Sequence, residues 1–111
     1  MCGFFVQLNI SNKEKFDQKK FVESAKLISH RGPDEERFFF NKKINLAFYR
    51  LSIIDTSIRG SQPMFSMSKN LIIVFNGEIY NANKLKYKLK EYVFKSNTDT
   101  EVLLNLYNKY G

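Results

Sequence analysis

The sequence predicts an α+β fold in which short strands and helices are layered against one another. Two nearly unbroken apolar runs, residues 2–8 and 71–75, read as strands covered on both faces. Asp17, Asn81 and Thr98 each stand before a helical apolar spacing, and all three are residue types that cap helices. An apolar content of 43%, with aromatic residues making up 15% of the chain, is that of a globular protein. At 111 residues a single domain over 1–111 is expected. It would bury roughly two thirds of its unfolded surface.

Residues 2–8 form the first strand. A helix starts after Asp17, carries Phe21, Ala25 and Ile28 on one face, and stops at Gly32-Pro33. Residues 37–41 and 44–50 read as a hairpin turning at Asn41-Lys42-Lys43. Residues 55–68, rich in Ser and Thr and holding Gly60 and Pro63, read as a loop. The strand over 71–75 leads into Asn76-Gly77 and a short return at Glu78-Ile79-Tyr80. Asn81 then caps a helix reaching about Tyr92, and Val93-Phe94 is a short strand. Thr98 and Glu101 have the spacing of a capping box, opening a helix with Leu103, Leu106, Tyr107 and Tyr110 on one side.

Composition excludes several classes. No apolar run approaches the ~18 residues of a membrane span, and Phe4-Phe5-Val6 is too short for a signal-peptide core. The single cysteine forbids an internal disulfide and points to a reducing compartment, so a cytoplasmic location is expected and no membrane partner. The net charge of +7 raises nucleic acid as a partner. Yet Lys84 and Lys88 share one helical face while Lys86 and Lys90 lie on the other, and fourteen Lys stand against only four Arg. That balance describes a solvated surface, and nucleic acid is set aside.

Cys2 carries the most chemistry. Removal of Met1 would leave a residue holding both a thiol and a free α-amine, with ordinary pKa values near ~8.5 and ~8. Near neutral pH the amine can then take the proton of its own side chain, an activated sulfur nucleophile in one residue. The plainer reading is a small apolar residue opening a strand. Asn76-Gly77 similarly has two readings: a type I′ hairpin turn, or two N–H donors converging on one oxyanion. Arg50 could pair with Asp55, or its guanidinium fork could receive the α-carboxylate of an amino acid. Asp99 could serve only the helix dipole, or hold an α-ammonium. His30 invites a Cys-His dyad, but it sits in the last turn of a helix, and a terminal amine makes a histidine base unnecessary.

Five motifs stand together in this order: His30-Arg31-Gly32-Pro33-Asp34, Arg50-Leu51-Ser52-Ile53-Ile54-Asp55, Gln62-Pro63-Met64, Asn76-Gly77-Glu78-Ile79-Tyr80-Asn81 and Thr98-Asp99-Thr100-Glu101. With Cys2 they resemble the N-terminal glutaminase domain of glutamine-hydrolysing asparagine synthetases, a class II glutamine amidotransferase of the N-terminal-nucleophile hydrolase type. The resemblance implies a layered αββα sandwich, incomplete in this chain. It implies that Cys2 attacks the side-chain amide of L-glutamine and forms a thioester, and that Asn76 and Gly77 hold the oxyanion. Arg50 would bind the α-carboxylate and Asp99 the α-ammonium, with Leu51, Ile54 and Glu78 completing the substrate pocket. The His-Arg-Gly-Pro-Asp segment would be structural or support the site.

The chain departs from the family at Val6, where a Gly is usual, and at Phe48, where His is frequent. Relatives that make amino sugars or phosphoribosylamine carry an Arg-Trp-Ala-Thr-His-Gly type of stretch where this chain has Arg50 to Asp55, so the asparagine synthetase type is the nearer one. The resemblance covers the whole chain but only the first part of that domain. ATP and Mg are accordingly expected in a separate synthetase domain and no cofactor in this chain. The ammonia released would pass to a synthetase domain or chain. The alternative is a catalytically silent glutamine-pocket or interaction module completed by a partner chain. With half a domain missing, self-association through exposed apolar sheet surface is expected.

Overall fold

A computed structural model describes residues 1–11, 15–53 and 55–111. The chain has an α+β fold divided into two compact units, Met1–Leu51 and Ser52–Gly111.

The first unit holds strand β1 (Gly3–Leu8), helix α1 (Gln18–Lys26), a 3-10 turn (Ser29–Arg31), and strands β2 (Glu35–Phe40) and β3 (Ile44–Arg50). The strands form an antiparallel sheet in the order β1-β3-β2. Asn41 makes the hairpin turn, its Oδ1 accepting from the N–H groups of Lys43 and Ile44 at 2.8 and 2.7 Å. Asp17 caps α1 by accepting from Lys20 N at 3.1 Å, as its residue type leads one to expect. Phe21 and Ala25 of α1 pack on Ala47 and Tyr49 of β3, with Phe5, Phe38 and Phe40 around them. The Phe21 ring lies 5.2 Å from that of Phe5 and meets that of Phe40 edge-on at 5.8 Å.

Gly32 ends the helical region where the chain turns against β3. A Cβ there would overlap the Tyr49 carbonyl and the Arg50 amide nitrogen, so only glycine permits this approach. The expectation that β1 is covered on both faces is not met. Phe4 is 43% and Leu8 61% exposed, because β1 is an edge strand and α1 covers only the Phe5 side.

The second unit holds β4 (Met64–Phe65), β5 (Ile72–Ile73), α2 (Ala82–Lys86) and α3 (Asp99–Tyr110). It departs from the sequence reading in six places. Met64 and Phe65, read as loop, pair with Ile73 and Ile72. The strand over 71–75 shrinks to two residues, since the backbone N–H and C=O of Phe75 are taken by the side-chain amide of Gln62. Residues 78–80 and 93–94 form no strand. The helix after Asn81 ends at Lys86, and Asn81 makes no side-chain cap bond, so Lys88 and Lys90 lie beyond it. Finally, α3 buries Thr100, Glu101, Val102, Leu104 and Asn105, while Tyr107 and Tyr110 are exposed. Its buried face is partly polar, which a count of apolar spacings cannot register.

The capping box of α3 is half present. Thr98 accepts from Glu101 N at 3.3 Å, but the Glu101 carboxylate takes the N–H groups of Lys95 and Ser96 at 2.8 and 2.7 Å and the Ser96 hydroxyl at 2.6 Å. Glu101 thereby fastens the incoming loop to the helix. Among the described residues, no helix is long and apolar enough to cross a membrane.

Candidate functional site

In the first unit, antiparallel pairing of β1 with β3 matches Gly3 with Tyr49 and so brings Cys2 to the end of β3. There Leu51 N donates to the Cys2 sulfur at 3.3 Å, and the thiol points back to Leu51 O at 3.5 Å. Arg31 Nε donates to Cys2 O at 3.2 Å, fixing the residue's backbone as well. Cys2 is half-buried, whereas Met1 before it is 75% exposed.

Arg50 is 6% exposed and donates from a terminal guanidinium nitrogen to Glu35 Oε2 at 3.2 Å, across the β2–β3 ladder that pairs these two residues. Glu35 also accepts from Arg37 Nε. Glu35 is a residue the sequence reading missed; the signal lies in the hairpin register, which sets an acid opposite Arg50. Asp34 N donates to Arg50 O at 3.0 Å, so the Arg31-to-Asp34 stretch touches both Cys2 and Arg50. His30 is exposed.

In the second unit, Asn76, Gly77 and Glu78 form an exposed loop without regular structure. Positive φ among the described residues is confined to Lys69 and Gly111, so Asn76-Gly77 is not the type I′ turn that was one of its readings. Asp99 opens α3, and its Oδ2 accepts from Ile79 N at 2.8 Å. That bond ties the helix start to the loop two residues beyond Gly77. Of the residues singled out in the sequence, Cys2, Arg50 and Leu51 thus come together in one unit, and Asn76, Gly77, Glu78 and Asp99 in the other. Ile54 lies outside the described residues.

No group of three or more His, Cys, Asp or Glu side chains among the described residues is arranged to hold a metal ion. Two further side chains, Gln62 and Glu101, are buried and hydrogen-bonded in the second unit.

The α+β arrangement is a partial form of the layered fold of N-terminal-nucleophile hydrolases. The glutamine amidotransferase domain family matches residues 1–111. The chain is 36% identical over 111 residues to asparagine synthetase [glutamine-hydrolyzing] 1 of Arabidopsis thaliana, covering 100% of this chain and 19% of that protein. It is 41% identical over 115 residues to asparagine synthetase [glutamine-hydrolyzing] 2 of Bacillus subtilis, covering 100% of this chain and 15% of that protein. A Zea mays protein of the same kind is 36% identical over 111 residues, with 100% and 19% covered. The chain therefore belongs to the glutamine amidotransferase domain family. It spans less than a fifth of the length of these relatives.

Proposed function

We propose that the chain is a glutaminase domain that hydrolyses L-glutamine to glutamate and ammonia through Cys2. The observation that carries this reading is the cysteine at the strand end, its thiol held by Leu51 N beside the buried Arg50 and preceded by an exposed Met1. With Met1 removed, the α-amine of Cys2 accepts the thiol proton and the sulfur attacks the γ-carboxamide carbon. Asn76 Nδ2 and the Gly77 N–H stabilise the resulting oxyanion, where fixed donors act most strongly. The protonated amine passes its proton to the leaving nitrogen, and ammonia departs as the tetrahedral intermediate collapses to a thioester. Water, deprotonated by the same amine, attacks the thioester carbon, and glutamate leaves as the sulfur recovers its proton.

Arg50 binds the α-carboxylate of glutamine. The bond to Glu35 orients its guanidinium fork, a planar set of donors suited to a carboxylate. Asp99 binds the α-ammonium, and Leu51 and Glu78 contact the bound glutamine. The ammonia is consumed by a synthetase domain or chain, the kind of protein named in the relatives.

Incubation of the untagged protein with L-glutamine tests this. Glutamate and ammonia should appear in equal amounts, and Cys2→Ala should abolish both. Hydrolysis that survives Cys2→Ala contradicts the nucleophile. A folded parent protein that binds glutamine without turning it over supports the silent module instead.

A further inference from the structure

Gln62 belongs to a motif that the reaction leaves unused, and its side chain is nearly all engaged. It is 6% exposed in a Ser-rich stretch that a sequence reading takes for a solvated loop. Its Oε1 accepts from Phe75 N at 2.6 Å, while Nε2 donates to Phe75 O at 3.2 Å and to Thr100 Oγ1 at 3.2 Å. Both N–H donors of the amide are consumed. The two bonds to Phe75 match what a neighbouring strand would offer its backbone, and β5 has already ended at Ile73. The third reaches the first turn of α3.

Phe75 immediately precedes Asn76-Gly77, and Thr100 immediately follows Asp99. On the far side of the same loop, Asp99 Oδ2 holds Ile79 N at 2.8 Å. The exposed residues 76–78 are thus suspended between two anchors, both made to the start of α3, one direct and one through Gln62. We infer that Gln62 is a positioning residue that fixes the Asn76-Gly77 donors and the Asp99 carboxylate relative to each other. This rests on the glutaminase reading above. Its chemical logic is that an oxyanion donor and an ammonium acceptor serve one small substrate only at a fixed separation. A displacement of about 1 Å can cost about 100-fold in rate.

Five variants of the chain test it: Gln62→Met, which keeps the length of the side chain without its amide; Gln62→Glu, which keeps an acceptor for Phe75 N only; Thr100→Val, which cuts only the link to α3; and Asn76→Ala and Asp99→Asn as the oxyanion and substrate-binding comparisons. Amide hydrogen exchange and steady-state glutamine kinetics are measured below the unfolding temperature of each.

Gln62→Met should speed exchange across residues 75–79 and in the first turn of α3 and leave β3 unchanged, while raising KM and lowering kcat together, by up to about 100-fold in kcat/KM. Gln62→Glu should fall between it and the parent. Thr100→Val, with a single neutral hydrogen bond lost, should raise KM by roughly fivefold and leave kcat within about twofold. A merely structural glutamine would lower the unfolding temperature and leave KM where it was. If Gln62→Met fails to fold, Thr100→Val carries the decision through its KM shift. Unchanged exchange at 75–79 in a folded Gln62→Met protein, or altered exchange with parental KM and kcat, overturns the inference. Failure of the glutaminase reading looks different: Asn76→Ala and Asp99→Asn would leave glutamine hydrolysis untouched while the exchange change at 75–79 persisted, which removes the positioning role and keeps only the bridge.

Discussion

The two units of this chain are ordered by different forces. In Met1–Leu51, long antiparallel ladders and an aromatic core under one helix hold the fold, and Cys2 and Arg50 sit at the end of that sheet. In Ser52–Gly111 the strands are two residues long, and polar side chains do the fastening: the buried Gln62 on Phe75, the half-buried Asp99 on Ile79, and the buried Glu101 on Lys95 and Ser96. Apolar packing tolerates swaps of similar volume, whereas a buried hydrogen-bonding group tolerates only another with the same donors and acceptors. The proposed nucleophile stands on the first kind of order, and the loop proposed to meet substrate stands on the second.

The largest expected effect breaks the first kind of order. Phe21→Ala removes the ring around which Phe5 and Phe40 pack and should cost about 3–5 kcal/mol of stability in urea unfolding. A loss below about 1 kcal/mol would mean that the aromatic cluster is not the core of its unit.

Next come the groups proposed to bind glutamine, one charged group from each unit. Arg50→Ala and Asp99→Asn should each raise KM by an amount equivalent to about 2–4 kcal/mol, while Asn76→Ala should lower kcat by a similar factor. Asp99→Asn keeps an acceptor for Ile79 N, so its effect reports the charge. Lys90→Ala, on the surface, should change neither constant. Lys86 is a poorer control, because its ammonium lies 4.4 Å from the centre of the Phe94 ring.

Glu101→Gln sharpens the comparison from the other side. It places an amide N–H₂ against donors and should cost about 2 kcal/mol, visible as faster amide exchange at Lys95 and Ser96. Unchanged exchange there would show that the polar fastening is dispensable.

Smaller effects concern titration. The buried Tyr49 hydroxyl has no hydrogen-bond partner among the described residues, and burial, followed by the nearby negative charge of Glu36, holds its pKa above the ordinary value. Tyr49→Phe should therefore be neutral or stabilising by about 1 kcal/mol. In the parent, the unfolded chain releases this proton near pH ~10 and the folded chain only above that. Stability should fall as pH rises through that interval, and the Phe variant should lack this component.

The smallest effect is at the exposed pair Glu91–Lys109. The hydrogen bond between them lowers the Glu91 pKa and raises that of Lys109. Its contribution should be complete between about pH 4.3 and about pH 10.4, and decline below and above as each folded group titrates. Lys109→Ala should flatten that dependence, with a shift in unfolding temperature smaller than any above.

The same contrast explains what was legible in the sequence. The Asp17 cap, the Phe21 and Ala25 face, the Asn41 turn and the run ending at Arg50 are local signals or plain periodicities, and the first unit follows them. The Arg50–Glu35 pair was legible only through the register of the hairpin. In the second unit, nothing local announces that Gln62 replaces a strand at Phe75, that α2 stops at Lys86, or that Thr100, Glu101 and Asn105 face inward. These are long-range polar choices. The residues proposed for the site were nevertheless legible as motifs, because Cys2, Arg50, Asn76-Gly77 and Asp99 are defined by chemistry at fixed places in the sequence and need no correct element boundaries.

The central claim, an amine-activated thiol at Cys2, is tested most directly by the intact mass of the untagged protein before and after treatment with an electrophilic analogue of glutamine. Met1 should be absent, and a single adduct should form on Cys2, with excess L-glutamine protecting it. Retained Met1, or a processed and folded protein whose Cys2 stays unlabelled, would contradict the account.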